Sequence, residues 1–404
     1  MESHSNLRLS SIISIILFFG CSDDVSNGPF FDTAVWSLGK NQAGVLGDGT
    51  ERDSESSSQL DLIRNPVRLE ASSVNSMALT SDGKLFVWGD NSYGQLGTGQ
   101  LTSRSTSPVQ ILSDFFVKAM SSGGSLSAAI TIDGKVWLWG TLQKKTDKDE
   151  EFKELRPVVM GGLPIMKDIA CGKNHCLAVS ASGEVWSWGN NASGQLGDGA
   201  QSGSMAFKKV ANLPFISHVA VGSDHSVALA DNGEIFVWGS NEFGQLGISN
   251  IHFRPELFIG DQIKMVLEPT KVPWLENIVT IAAGSYHNLG LRNDGEIMAW
   301  GRGGSGQLGS SSFDTMWRPR KVSSISNVTL IYAYGEGSVA MTNYGEFYSW
   351  GYYNSLSKSY LGNRRSSPTR IPCFKGAVSI ARGDNHYLVA NGKKSDLTSP
   401  CFLY

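Results

Sequence analysis

The sequence predicts an all-β fold, a seven-bladed β-propeller of four-stranded blades whose ring is closed by pairing of its N- and C-terminal repeat halves. Three observations predict it. A Trp-Gly motif recurs at a step near fifty residues. A glycine turn stands at a fixed distance before each copy, and the repeat region opens on a second half-repeat and finishes on a first half.

The recurring motif is clearest in Leu85-Phe86-Val87-Trp88-Gly89, followed by Gly94-Gln95-Leu96-Gly97. It returns at Trp188-Gly189 with Gly194-Gln195-Leu196-Gly197, and at Trp238-Gly239 with Gly244-Gln245-Leu246-Gly247. Plainer copies end in Trp139-Gly140, Trp300-Gly301 and Trp350-Gly351, and the first carries Leu38-Gly39. Successive glycines 39, 89, 140, 189, 239, 301 and 351 are 50, 51, 49, 50, 62 and 50 residues apart, a propeller or solenoid period.

Each element of a blade has its own signal. Five residues before each tryptophan stands Gly83, Gly134, Gly183, Gly233, Gly295 or Gly345. Several follow Asp or Asn, which marks a tight hairpin whose central residues need positive φ. Strand-like runs flank these turns, such as Ser226-Val227-Ala228-Leu229-Ala230 and Glu234-Ile235-Phe236-Val237-Trp238. Thirteen residues before the tryptophan come His175, His225 and His287, with His386 in the tail, each three residues after a glycine. A catalytic histidine is needed once, so recurrence in several blades predicts a structural hydrogen bond between neighbouring turns. Residues 378–390 form a first half-repeat without a tryptophan half, and residues 33–47 form the complementary second half. Together they complete one blade and remove the two strand edges an open ring would expose. The expected organisation is a leader and linker over 1–32, the propeller over 33–392 and a tail over 393–404.

Composition narrows the function. The 46 glycines in 404 residues exceed the usual share of about 7% and lie at turns throughout the chain. The net charge is −3 and no long basic run occurs, so the clustered cations a nucleic-acid binder uses are missing. No phosphate-cradling glycine loop, His-Glu-x-x-His or Gly-x-Ser-x-Gly element is present, so no residue is assigned to catalysis and no cofactor is expected. Near the N-terminus, Ile12, Ile13 and Ile15 to Phe19 form an apolar run shorter than a membrane span, followed by Gly20-Cys21. This resembles a bacterial lipoprotein signal, with Cys21 as the lipidation candidate and the cell envelope as location. An unstructured apolar leader and a mitochondrial presequence are the other readings, the latter two leaving the chain cytoplasmic or mitochondrial. Membrane contact would then come only through the lipid anchor. Cys171 and Cys176 flank a turn and are read as two buried side chains on adjacent strands, with a disulfide or a metal site left open.

The Gly-x-x-His, Asp-Gly, Trp-Gly and Gly-Gln-Leu-Gly elements at this spacing resemble the regulator-of-chromosome-condensation repeat, over residues 33–392. The resemblance implies a seven-bladed propeller. Some repeats depart from the pattern: Ser72 and Asn75 replace Gly and His, Leu126 replaces His in the third, and Tyr334 and Gly337 alter the seventh. The same resemblance permits two roles. One is a non-enzymatic interaction scaffold that binds another protein, as some secreted bacterial members do. The alternative is a guanine-nucleotide exchange factor acting on a small GTPase. A light sensor of this fold would need tryptophans beside the Gly-x-x-His turns, where this chain has Ser223-Asp224 and Ser285-Tyr286.

Two segments interrupt the repeat. Residues 144–156 replace the glycine-rich turn of blade three, and ten of these thirteen are charged. The longer step of 62 makes residues 251–274 an extended apolar loop. Partner-binding candidates are therefore Lys148, Asp149, Glu150 and Phe152 in the first, and Phe253, Phe258 and Trp274 in the second. A solvated loop, or a loop packed under the ring, is the alternative for each. Both follow a Trp-Gly strand, which predicts emergence on one face of the disc. Exchanging either for a plain Gly-Gln-Leu-Gly turn should then preserve folding and abolish binding.

Overall fold

The structure, a computed structural model, describes residues 33–142, 152–248, 258–259, 262–352, 364–371 and 377–391. Among these residues there is no helix, and the strands form seven four-stranded antiparallel sheets plus one two-stranded hairpin. We number the blades along the chain and letter their strands a to d outward from the ring axis. Blade 2 is typical: Pro66–Ala71, Asn75–Thr80, Leu85–Asp90 and Arg104–Ile111 form a simple meander. Its b–c turn contains Gly83 at φ 75°, in the region where L side chains are strained.

Blade 1 is assembled from both ends of the described chain. Ala377–Arg382 and His386–Asn391 supply strands a and b, and Ala34–Gly39 and Ser54–Arg64 supply c and d. Its b–c register runs unbroken from Ala34↔Asn391 to Gly39↔His386. That is the register of blade 4, where Gly189 faces His175, so the closure copies an ordinary blade.

The core is divided among the seven interfaces between neighbouring blades. Each interface holds one apolar cluster, and in six of them a buried tryptophan from the following blade sits in it: Trp88, Trp139, Trp188, Trp238, Trp300 or Trp350. In the seventh, between blades 7 and 1, Leu38 takes the tryptophan position beside Trp36 and Tyr387.

A repeated polar clasp locks most of these interfaces. Between blades 4 and 5, His175 Nε2 lies 2.9 Å from Ser226 Oγ. The Ser226 hydroxyl donates to the Gln195 carbonyl at 2.8 Å, which also accepts from Trp238 Nε1 at 2.8 Å. Because the serine proton is committed to the carbonyl, the imidazole donates through Nε2. The same arrangement joins blades 5 and 6 through His225, Asn288, Gln245 and Trp300. It joins blades 6 and 7 through His287, Ser338, Gln307 and Trp350, and blades 1 and 2 through His386, Ser76, Val45 and Trp88. The Gly-Gln-Leu-Gly loop thus supplies a backbone carbonyl, and for that role Val45 serves as well as Gln. Its last glycine is required by contact too, since a Cβ at Gly97 would stand 2.8 Å from Trp139.

The departures in the sequence fall on three interfaces. Between blades 2 and 3, Asn75 occupies the histidine position and its Oδ1 accepts from Ser122 Oγ at 2.9 Å, while Ser127 Oγ and Trp139 Nε1 still donate to the Gln95 carbonyl at 2.9 and 2.8 Å. Between blades 3 and 4, Leu126 occupies the histidine position and Cys176 the serine position, and Trp188 Nε1 has no acceptor among the described residues. Cys176 instead faces Cys171 across the a–b hairpin and is joined to it by a disulfide. Between blades 7 and 1, Gly337 occupies the histidine position and Tyr387 the serine position. Arg382 fills the space Gly337 leaves, since a Cβ there would collide with its guanidinium. It donates to Ser349 Oγ at 3.2 Å, to the Trp350 carbonyl at 3.0 Å and to the Tyr352 carbonyl, while Tyr387 OH meets Ser349 Oγ at 3.0 Å. Arg382→Met keeps the stem and removes these donors, leaving buried acceptors unpaired. It is expected to cost about 2–4 kcal/mol in equilibrium urea unfolding. An unchanged midpoint would mean the arginine is dispensable to closure.

Candidate functional site

The ring has two unlike faces. On one, the a–b hairpins meet the ends of the c strands, as in the bond from Asn190 N to the Asn174 carbonyl. On the other, the b–c turns meet the d–a connections, as in the bonds from Ile216 N to Gly183 O and from Val328 N to Gly295 O. We term these the hairpin face and the turn face.

Between them runs a channel of about 800 Å³ walled by the inner strands of all seven blades. Two pairs of charged groups close on one another along it. Arg68 pairs with Glu70 at 2.9 Å, and the Glu70 carboxylate also accepts from Ser122 N at 2.8 Å. Burial nevertheless pushes the Glu70 carboxyl above its ordinary range, against the pull of Arg68. Asp168 lies 2.6 Å from His218 Nδ1 and accepts from Val219 N at 3.2 Å. Burial opposes its charge, but His218 and Arg68 outweigh that and hold its carboxyl low. Across the channel, Tyr332 OH donates to the Ala71 carbonyl at 3.2 Å and Tyr334 OH accepts from Ser73 N at 2.8 Å. These groups are therefore satisfied by one another, while burial raises the Asp384 carboxyl elsewhere on the wall. Among the described residues, no group of three or more His, Cys, Asp or Glu is placed to hold a metal ion.

The turn face is chemically different. At the d–a connections large apolar side chains stand in solvent: Phe115 and Phe116 before blade 3, Ile165 before blade 4, Phe215 before blade 5 and Trp274 before blade 6, exposed by 45% to 62%. Each of three caps the glycine turn of the preceding blade. A Cβ at Gly83, Gly134 or Gly183 would strike Phe116, Ile165 or Phe215, so the turn glycines serve blade packing as well as positive φ. The basic side chains near these turns are mostly paired. Lys84 and Lys135 close on Asp82 and Asp133 at 2.5 and 2.8 Å, and Lys209, Lys271 and Lys321 close on Glu184, Glu234 and Glu296. Two are different: Lys118 and Lys167, half-buried at the second position of neighbouring inner strands, make no ion pair among the described residues. Burial lowers the pKa of both amines. Lys167 Nζ sits 4.3 Å above the Phe215 ring.

Of the partner-binding candidates from the sequence, Phe152, Phe258 and Trp274 fall among the described residues. Lys148, Asp149, Glu150 and Phe253 lie outside the described residues, as does Cys21. Phe152 begins strand d of blade 3, Phe152–Val159, because the chain resumes pairing with the c strand at Leu142. Phe258 lies in a two-residue strand, Phe258–Ile259, paired with Gln262–Ile263. Strand d of blade 5 then occupies Met265–Lys271, so Trp274 belongs to the following d–a connection. That connection lies on the turn face, opposite the c–d loops, and Trp274 stacks there under Arg318 at 4.3 Å. The expected one-face surface over 144–156 and 251–274 is thereby corrected at Trp274, which lies on the opposite face from the c–d loops. Exchanging 251–274 would delete the whole outer strand Met265–Lys271, and exchanging 144–156 would remove the first five residues of Phe152–Val159, so neither exchange would leave the fold intact. The histidine and tryptophan positions instead converge on the blade clasps. Lys118 and Lys167 escaped notice, although their common place after Val117 and Met166 in consecutive repeats was a visible signal.

Comparison with known proteins bears on the whole ring. The model of the RCC1-like domain matches residues 33–389. The mitochondrial RCC1 domain-containing protein RUG3 of Arabidopsis thaliana is 27% identical over 308 residues, 71% of this chain and 54% of that protein. The secretion-regulating guanine nucleotide exchange factor of Mus musculus is 29% identical over 242 residues, 56% of this chain and 50% of that protein. The chain thus spans about half the length of either relative. The structure of Prp20p from Saccharomyces cerevisiae, described with its binding to Gsp1p and histones, superposes with a TM-score of 0.75 at 20% identity, covering 91% of this chain and 93% of that one.

Proposed function

This chain belongs to the RCC1-like domain family, and from that premise we propose that it works as a rigid ring holding a protein partner against its turn face, without covalent chemistry of its own. The observation that carries the proposal is the run of exposed apolar side chains on that face, from Phe116 through Ile165 and Phe215 to Trp274. Contiguous exposed apolar surface rimmed by polar groups is typical of contact sites, and a clasped ring presents it without the entropic cost of ordering a loop. Photocrosslinking tests this. A benzophenone amino acid at Phe215 or Trp274 is expected to yield a discrete adduct in cells. The same probe at Tyr93 or Leu101, exposed on the hairpin face, is expected to yield none. Adducts from Tyr93 and Leu101 alone would reverse the assignment.

A second reading, nucleotide exchange on a small GTPase, is supported by the name of the mouse relative. Accelerated release of labelled GDP from candidate GTPases is its direct test. For location, the mitochondrial designation of the Arabidopsis relative supports the organelle over the cell envelope. Import into isolated mitochondria, set against lipid incorporation at Cys21, decides between them.

A further inference from the structure

The turn face is not uniform, and its asymmetry identifies the chemistry of what it holds. Blades 3 to 5 carry three of the exposed apolar side chains, Phe116, Ile165 and Phe215, each fixed over a glycine turn and so oriented before any partner arrives. On the same face, at the second position of the inner strands of blades 3 and 4, stand Lys118 and Lys167, the latter with Nζ 4.3 Å above the Phe215 ring. They share one register position on adjacent inner strands, one residue after the paired positions Val117 and Met166. Elsewhere on this face the turn and outer-strand lysines have carboxylate partners supplied by the fold. These two close on no carboxylate at ion-pairing distance among the described residues: Asp133 acts on Lys118, and Asp168 and Asp231 on Lys167, only from farther off, and burial outweighs that support and lowers both amines.

We propose that the rim of blades 3 to 5 binds an acidic, apolar segment of a protein partner, whose carboxylates pair with Lys118 and Lys167 while its apolar side chains pack on Phe116, Ile165 and Phe215. This rests on the partner-holding reading and adds the chemistry of the contact. Charge complementarity favours a narrow peptide over an anionic bilayer. Asp114, Asp231 and Glu276 are exposed on the same turns and would meet a flat anionic surface, whereas a single segment reaches the two ammonium groups between them. Half-buried cations, one of them over the Phe215 ring, also gain more from a carboxylate than exposed lysines do, because their sites are partly desolvated already.

The test is fluorescence polarisation on the full chain with three labelled peptides of alternating apolar and variable residues, carrying Glu, Gln or Lys at the variable positions. The Glu peptide is expected to bind at least tenfold tighter than the Gln peptide, and the Lys peptide not at all. Lys118→Gln with Lys167→Gln is expected to remove at least tenfold of that affinity at unchanged melting temperature. Lys84→Gln with Lys135→Gln changes the same net charge on the same face and is expected to bind as wild type. Equal binding of Glu and Gln peptides, absent Glu-peptide binding, or binding that survives the Lys118/Lys167 change would overturn the proposal. So would binding to phosphatidylserine vesicles in place of the peptide. The partner-holding reading stands or falls separately, on the crosslinks at Phe215 and Trp274.

Discussion

Deleting residues 376–404 is expected to unfold the whole ring, not to trim one wedge from it. The deletion removes strands Ala377–Arg382 and His386–Asn391, so Ala34–Gly39 loses all six of its b-strand partners. Two apolar interfaces open together. One loses Ile380, Tyr387 and Val389 from between blades 7 and 1, and the other loses Ala381, Leu388 and Ala390 from between blades 1 and 2. The His386 clasp to Ser76 and the Arg382 closure go with them. Burial of one large aliphatic or aromatic side chain contributes about 1.5–3 kcal/mol. Ile380, Tyr387, Leu388 and Val389 alone then amount to about 6–12 kcal/mol, comparable with the roughly 5–15 kcal/mol that holds a typical domain together, before the lost strand pairing and the exposed partners are added. Circular dichroism of the truncated chain is expected to show no cooperative melt above room temperature. A transition at the wild-type temperature would mean that blades 2 to 7 stand as an open arc and that closure contributes little.

The logic of that closure was legible in the sequence because it depends on local spacing. The tryptophans, the glycine turns and the two half-repeats each report strand and hairpin positions within a few residues, and the meander follows from them. What was not legible depends on residues about fifty apart meeting across an interface. Leu126, Cys176 and the missing glycine loop look like separate departures in the chain, yet they are one clasp lost together. Gly337, Tyr387 and Leu38 form a second such set, and nothing local reveals that Arg382 replaces the missing imidazole. Face assignment failed for Trp274 for a related reason. The long insertion hides the d strand Met265–Lys271, and that one unrecognised strand moves Trp274, just after it, to the opposite side of the disc.

Acidification is expected to release the clasps in concert, and it tests them more directly than any single substitution. Burial holds the imidazoles of His225, His287 and His386 at about 4, about 3 and about 3, with nearby His225 and Arg382 depressing His287 further. In the unfolded chain a histidine titrates near 6.5. Between those values the unfolded chain binds protons that the ring refuses. The stabilisation is therefore complete above about pH 6.5 and is lost as pH falls toward 4, at about 1.4 kcal/mol per pH unit for each histidine. Three such groups amount to about 4 kcal/mol per unit, so about two units of acidification approach the whole stability of an ordinary domain. The physical cause is specific: each Nε2 already donates across the interface, and a second proton on Nδ1 would be a buried charge, eased at His225 only in part by Asp224. Nδ1 of His225 and His287 accordingly has no hydrogen-bond partner among the described residues. His287→Gln retains a donor for Ser338 and removes the titration. It is expected to lower stability at pH 7 yet flatten the pH dependence by about one proton in the range between pH 4.5 and 6. Parallel stability profiles for wild type and His287→Gln would show that acid acts through other groups, and that the recurring histidines are spacers without a share in the ring's response to pH.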